Sequence, residues 1–274
     1  MYYVVEKQEQ LNSLEPSSEA FVQLITKNLD YHPKLTTPSL VYYNNGKKGY
    51  VLCIDHSESF SLDLQQIEVF LSKHDKVYLL DEKFHSYFLK LNNVVDLNLV
   101  MMNSENRIKE FECDTQFHRQ FYQNRRDLPN VEALIPISKQ YEKCECFYDQ
   151  VKYLMGLETQ MHNSDKLILD AYGHVEQNGI GVKEDDINKT YAVPNNAGVI
   201  RNNVAYSYYN LYNITARPTN SFGGINYLAI PKEGDFRKCF VPKKDYLVEF
   251  DFDGYHLRIV ANLLGIEVLK NVPI

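Results

Sequence analysis

The stretch that most limits the folds open to this chain is SLVYYNNGKKGYVLCID, residues 39–55, in which two runs rich in β-branched, aromatic and aliphatic residues flank NNGKKG. Asn and Gly side by side supply the left-handed backbone that a tight turn needs, so a β-hairpin is expected from Leu40 to Asp55. Downstream, SLDLQQIEVFLSKH places Leu64, Ile67, Phe70 and Leu71 at helical spacing, with Ser61 as N-cap. KVYLL then reads as a buried strand and EKFHSYFLKL as another helix. Hairpin, helix, strand, helix is an α/β pattern.

The chain has 274 residues, 44% of them hydrophobic and 24% charged, enough for one large domain or two small ones. Its 29 basic and 36 acidic side chains give a formal charge of −7, which argues against coating of nucleic acid by the whole surface and leaves room for a local basic groove. The start, MYYVVEKQEQ, lacks a basic region followed by an apolar one, and no apolar run approaches membrane-spanning length, so a soluble cytoplasmic protein is expected. Five scattered cysteines fit reduced thiols, and the pair Cys144 and Cys146 lacks a second pair at zinc-finger spacing. Residues 114–135 are polar, with an Arg pair, Pro129 within and Pro136 directly after, and read as a linker. A helical stretch follows from Lys139 to Asn178, with Gly179 as its C-cap.

In YLVEFDFDGYHLRIVANLLG, residues 246–265, strand-like alternation gives way to helical spacing at two aspartates. Asp251 and Asp253 lie two apart on one strand and so share a face. Such a pair suits a divalent cation such as Mg²⁺, although D-x-D also occurs as plain solvent-exposed acid. The segment resembles motif A of the family A DNA polymerases, with Leu257 and Arg258 on its Leu-Arg, Asp251 on the metal-binding aspartate and His256 on the glutamate beneath the incoming sugar. Upstream, Thr215-Ala216-Arg217 is similar to the family's Thr-Gly-Arg, residues 226–231 to its Asn-to-Pro run, and Arg237 with Phe240 to its Arg-x-x-Phe. HVEQNGIGV resembles the segment leading into the thumb, with Glu176 and Gly179 on its Glu and Gly.

That resemblance implies an α/β chain with an RNase H-like exonuclease-type domain at 1–135, a helical connector or reduced thumb at 136–202 and a partial palm at 203–274. It implies that Asp251 is catalytic and binds metal, with Asp253, on the motif's serine position, as this chain's own added metal-binding acid, that His256 contacts the nucleotide, and that Arg217, Asn226, Lys232 and Arg237 contact DNA. The ligands would be primer-template DNA and dNTP, with Mg²⁺ as cofactor. A second polypeptide would supply the fingers and the second carboxylate motif, because family polymerases carry these beyond motif A. The expected function is part of a split or truncated bacteriophage-like DNA polymerase; the alternative is an inactive remnant that binds DNA or a replication partner. In the first third, AFVQLITKNLD can be laid on the exonuclease Asp-Thr-Glu strand and KVYLLDEKFHSYFL on its Asn-x-Lys-x-Asp segment. Gln23, Ile25 and His85 then occupy acid positions, with only Glu145 or Asp149 left for the last, so the resemblance implies a dead exonuclease domain.

Overall fold

A computed structural model describes residues 2–59, 62–105, 108–125, 128–157, 163–190, 193, 195–212, 218–231, 233–248, 259 and 262–265. The expected hairpin is present as β3 (Pro38–Asn44) and β4 (Gly49–Cys53), paired antiparallel. Its turn is held by its own side chains: Asn45 Oδ1 accepts the amides of Lys47 and Lys48, and Asn44 Oδ1 accepts that of Gly46, whose φ is 80°. These are the local bonds for which Asn and Gly are favoured in turns.

The hairpin lies within a six-stranded mixed sheet completed by β1 (Tyr3–Val5), β2 (Glu19–Thr26), β5 (Lys76–Leu79) and β6 (Val94–Asp96), in the order β1-β4-β3-β2-β5-β6. β2 runs antiparallel to β3 and parallel to β5, and β5 is parallel to β6. The chain is thus mixed α/β around a central mixed sheet.

Alternation along β2 explains why both faces are covered. Ala20, Val22 and Leu24 enter a core with Leu11 of α1 (Gln8–Asn12) and Ile67, Phe70 and Leu71 of α2 (Leu64–Leu71). Phe21 and Ile25 enter the opposite core with Leu97, Val100 and Met101 of α4 (Leu97–Glu105) and Ile137, Cys144 and Val151 of α6 (Ile137–Val151). A strand apolar on both faces needs a layer on each side, and each such side chain contributes roughly 1.5–3 kcal/mol on full burial.

Several expectations are corrected. Asp63 caps α2, its Oδ1 accepting the Gln65 amide, and Ser61 lies outside the described residues. The second helix of the first third is short: α3 spans only Glu82–His85. The linker contains α5 (Gln116–Asn124), whose buried face is His118 and Phe121, and a 3-10 turn at Val131–Leu134. Its polar composition hid the few side chains that anchor it. Cys113 and Cys146 form a disulfide that joins the segment before α5 to α6, with Cα atoms 5.7 Å apart and a sequence separation of 33. Closing a loop of that length stabilises by about 4 kcal/mol in the chain-entropy account. Cys53, Cys144 and Cys239 are free and buried.

Beyond α6 come α7 (Asn163–Asn178) and α8 (Glu184–Thr190), with the short strands β7 (Ile180–Gly181), β8 (Ile200–Arg201), β9 (Val204–Ala205), β10 (Tyr209–Asn210) and β11 (Thr219–Asn220). The expected polymerase thumb and palm are not supported. No strand among the described residues after α7 exceeds two residues, and Tyr246–Val248, read as the start of the motif A strand, is irregular, with Tyr246 85% exposed. No helix among the described residues is long and apolar enough to cross a membrane.

Gly179 does end α7 as expected: φ is 60° and its amide donates to Val175 O at 3.1 Å. A Cβ there would stand 2.7 Å from Ala205 O, whereas at Gly46 a Cβ meets open space. Gly46→Ala should therefore cost only the left-handed backbone penalty, on the order of 1 kcal/mol, and Gly179→Ala distinctly more. Urea unfolding midpoints of the two variants check the ranking.

Candidate functional site

β5 pairs with β2 only through Val22↔Leu79, so beyond Val22 the β5-facing side of β2 has no strand beside it. His85 closes this gap: its Nε2 accepts the Leu24 amide at 3.1 Å, and its Nδ1 donates to Asp81 O at 2.8 Å. One acceptor and one donor define a neutral imidazole, and burial pushes its pKa down. The structure therefore brings His85 to the backbone between Gln23 and Ile25, three positions that the exonuclease resemblance assigns to one site. Ile25 is buried in the apolar core, and Gln23 donates to Leu24 O at 3.4 Å while its Oε1 is buried without a partner among the described residues.

Around His85 lies a buried polar hub that sequence reasoning did not identify as a unit. Asp81, at φ 75°, caps α3: its Oδ1 accepts the Phe84 amide at 3.1 Å and its Oδ2 accepts the Tyr208 hydroxyl. Asp96, at the end of β6, accepts from the amides of Asp81, Glu82 and Asn98 and from the Tyr212 hydroxyl. Burial, followed by the charge of Asp81, raises its carboxyl to about 6. Lys83 donates to Glu176 of α7 at 2.5 Å and to Tyr209 O at 2.9 Å, and its ammonium stands 3.4 Å from the centre of the Tyr208 ring. Glu176 also accepts the Tyr209 amide at 2.6 Å. Burial pushes the Lys83 ammonium down and the Glu176 carboxyl up, and their mutual attraction opposes both shifts.

His32, in the loop after β2, packs against the rings of Tyr87, Tyr206, Tyr208 and Phe222 and bonds Ser207 O at 3.1 Å. Burial lowers its pKa to about 4, the Lys83 and Lys34 charges adding to the effect.

A divalent cation does not fit these groups. Two-metal hydrolysis needs carboxylates with free lone pairs, yet Gln23 and Ile25 bring none, His85 has both nitrogens engaged, and the carboxylates of Asp81 and Asp96 are taken by protein donors. Among the described residues, no group of three or more His, Cys, Asp or Glu side chains is placed to hold a metal ion. Glu145 accepts the Tyr42 hydroxyl and Asp149 pairs with Lys152 at the surface, so both are engaged elsewhere.

Of the residues singled out through the polymerase resemblance, Asp251, Asp253, His256, Arg217 and Lys232 lie outside the described residues. Asn226 heads a 3-10 turn, Tyr227–Ala229, and is exposed. The Arg237 guanidinium folds back onto main-chain carbonyls, donating to Pro231 O at 3.0 Å and Ile230 O at 3.4 Å. Its bonds are those of a local turn clamp.

No family model matches this chain. No curated protein matches it either. Matching solved structures include RNase D of Trypanosoma brucei, 12% identical over 64% of this chain and 73% of that one, with a TM-score of 0.43. The Aedes aegypti Nibbler EXO domain is 11% identical over 62% of this chain and 94% of its own, with a TM-score of 0.35. Brucella melitensis NrnC with bound Mg²⁺ is 10% identical over 62% and 78%, with a TM-score of 0.34. Identities and scores this low say what the chain is similar to, not what it does.

They nevertheless correct the polymerase expectation. Several of the matched structures are nucleases and none of those reported is a polymerase, so membership of family A, template-directed DNA synthesis, primer-template and dNTP as ligands, and a second polypeptide carrying fingers do not stand. The inactive polymerase remnant falls with them. Mg²⁺ is a feature of the matched NrnC structure.

Two measurements probe the hub. Lys83→Ala should cost about 3–5 kcal/mol at neutral pH, because it strands a buried carboxylate, and the double variant Lys83→Met/Glu176→Gln should lose less than the sum of its singles. Chemical denaturation of the four proteins reads that coupling. For His32, a folded pKa below the ordinary 6.5 means that stability from the neutral ring is fully present above pH 6.5 and is lost as pH falls toward 4, a span on the order of 3 kcal/mol. Asp96 acts in the opposite sense, its raised pKa relieving a cost as pH falls below 6. The pH dependence of wild type minus that of His32→Phe isolates the histidine.

Proposed function

We propose that this chain is a nuclease-fold protein that has lost hydrolysis and binds single-stranded nucleic acid without cleaving it. The observation that carries the reading is the bond from the Leu24 amide to His85 Nε2. It supports a reading in which a neutral, backbone-bound imidazole at His85, with Ile25 and Gln23 on the strand beside it, stands where the resemblance expects hydrolytic acids. Loss of the acids removes the metal-activated water, but not the groove that the sheet presents.

Open α/β sheets bind ligands at the carboxyl ends of their strands. At that end of β2 lies a groove of about 830 Å³, lined in part by Asn28, Tyr31, Pro129, Asn195 and Phe222. Its aromatic side chains, Tyr31 and Phe222, suit the faces of unstacked bases, while the Asn28 and Asn195 amides are bonded within the protein. In this reading a divalent cation accompanies the nucleic acid and has no seat among the described acids.

The reading is tested by incubating the purified protein with 3′- and 5′-labelled single-stranded oligonucleotides in Mg²⁺ or Mn²⁺. The strands should remain full length while fluorescence anisotropy rises on binding and falls again with added salt. Trimming from the 3′ end that is abolished by Asp81→Asn or Asp96→Asn would overturn the proposal.

A further inference from the structure

Between α7 and the loop from Pro218 to Ala229 lies a second cavity, of about 990 Å³, at the upper end of the range for small-molecule sites. Tyr172 and Val175 of α7, Tyr209 of β10, and Ile225, Asn226 and Tyr227 of the loop line it. Tyr172 and Tyr209 meet edge to face, their ring centroids 5.6 Å apart and their planes at 68°. The hub holds this wall in place from behind, because Glu176, one residue from Val175, accepts the Tyr209 amide.

The chemistry of the lining narrows the occupant. None of the described lining residues is charged, so among them an anion would find no cation to replace its water, which is costly. Three phenol rings favour a flat π-system, since stacking on aromatic side chains is how unpaired bases are commonly held. Asn226 makes no side-chain hydrogen bond to the turn that it heads, so its amide has a donor and an acceptor to offer side by side. That pair matches a purine edge carrying an amino group next to a ring nitrogen.

We propose that this cavity binds a neutral, adenine-like purine base, with the attached sugar directed out of the apolar wall. The proposal rests on the reading of the chain as a binder of nucleic acid and gives that reading a base-selective site. A free nucleoside and an unpaired base in a strand present the same ring, and the experiment separates them.

Calorimetric titration is carried out with adenosine, adenosine monophosphate and a short oligoadenylate, on wild type and on Tyr172→Leu and Asn226→Leu. Saturable adenosine binding that weakens about tenfold in each variant is expected. Tighter binding of the oligoadenylate, weakened by the same variants, would identify the base as part of a strand. Should Tyr172→Leu fail to fold, Asn226→Leu alters an exposed side chain and retains the test. No saturable binding of adenosine at millimolar concentration, affinities indifferent to Asn226→Leu, or a marked preference for the monophosphate over adenosine would overturn the proposal. The trimming assay reports on hydrolysis independently, so adenosine binding can fail while the non-cleaving reading survives, and the reverse.

Discussion

A buried ammonium group anchors the segments that follow α6 to the sheet domain. Lys83 stands at the sheet's edge, on a helix of only four residues, and its partners come from far along the sequence: Glu176 on α7, the Tyr209 carbonyl on β10 and the face of the Tyr208 ring. A buried ion pair is weak evidence for net stability when compared with an apolar replacement, but breaking one partner is expensive. The consequence is specificity of docking. The segment from Tyr206 to Tyr212 can settle only where Glu176, Asp81 and Asp96 each receive the hydrogen bonds that their burial requires.

That hub also fills the side of β2 that β5 leaves open. Where β5 ends before β2 does, the β5-facing side of β2 is left without a strand beside it among the described residues. Here the exposed backbone is instead closed by His85, and the acids nearest to it serve as caps and hydroxyl acceptors. A carboxylate that accepts several protein donors has few lone pairs left for a cation. The same bonds that satisfy the hub's buried groups occupy the oxygens that a cation would need.

The fold was largely legible where local signals agree. The NNGKKG turn, the spacing in α2, the apolar run of β5 and the Gly179 cap each reflect short-range physics: turn dihedrals, period 3.6, continuous burial and a left-handed cap. Legibility failed where a few side chains outweigh composition. Residues 114–135 look like a linker, yet His118 and Phe121 bury a helix there. Cys113 and Cys146, scattered in sequence, lie within bonding distance because α6 crosses the sheet. The polymerase resemblance rests on similarity around Arg217 and Asp251, and of the described neighbours Arg237 bonds local carbonyls while Asn226 heads a 3-10 turn without a side-chain bond to it.

By itself, the sequence determined that a hairpin-centred α/β sheet forms and that Gln23, Ile25 and His85 cannot supply a set of metal-binding acids, because residue type alone decides charge. It could not determine that His85 bonds the main chain of Leu24, 61 residues away, or that Lys83 meets Glu176, 93 residues away. Those pairings depend on where β5 stops relative to β2 and on which face of α7 turns inward. No local period encodes them; they emerge only when every buried polar group must find a partner at once.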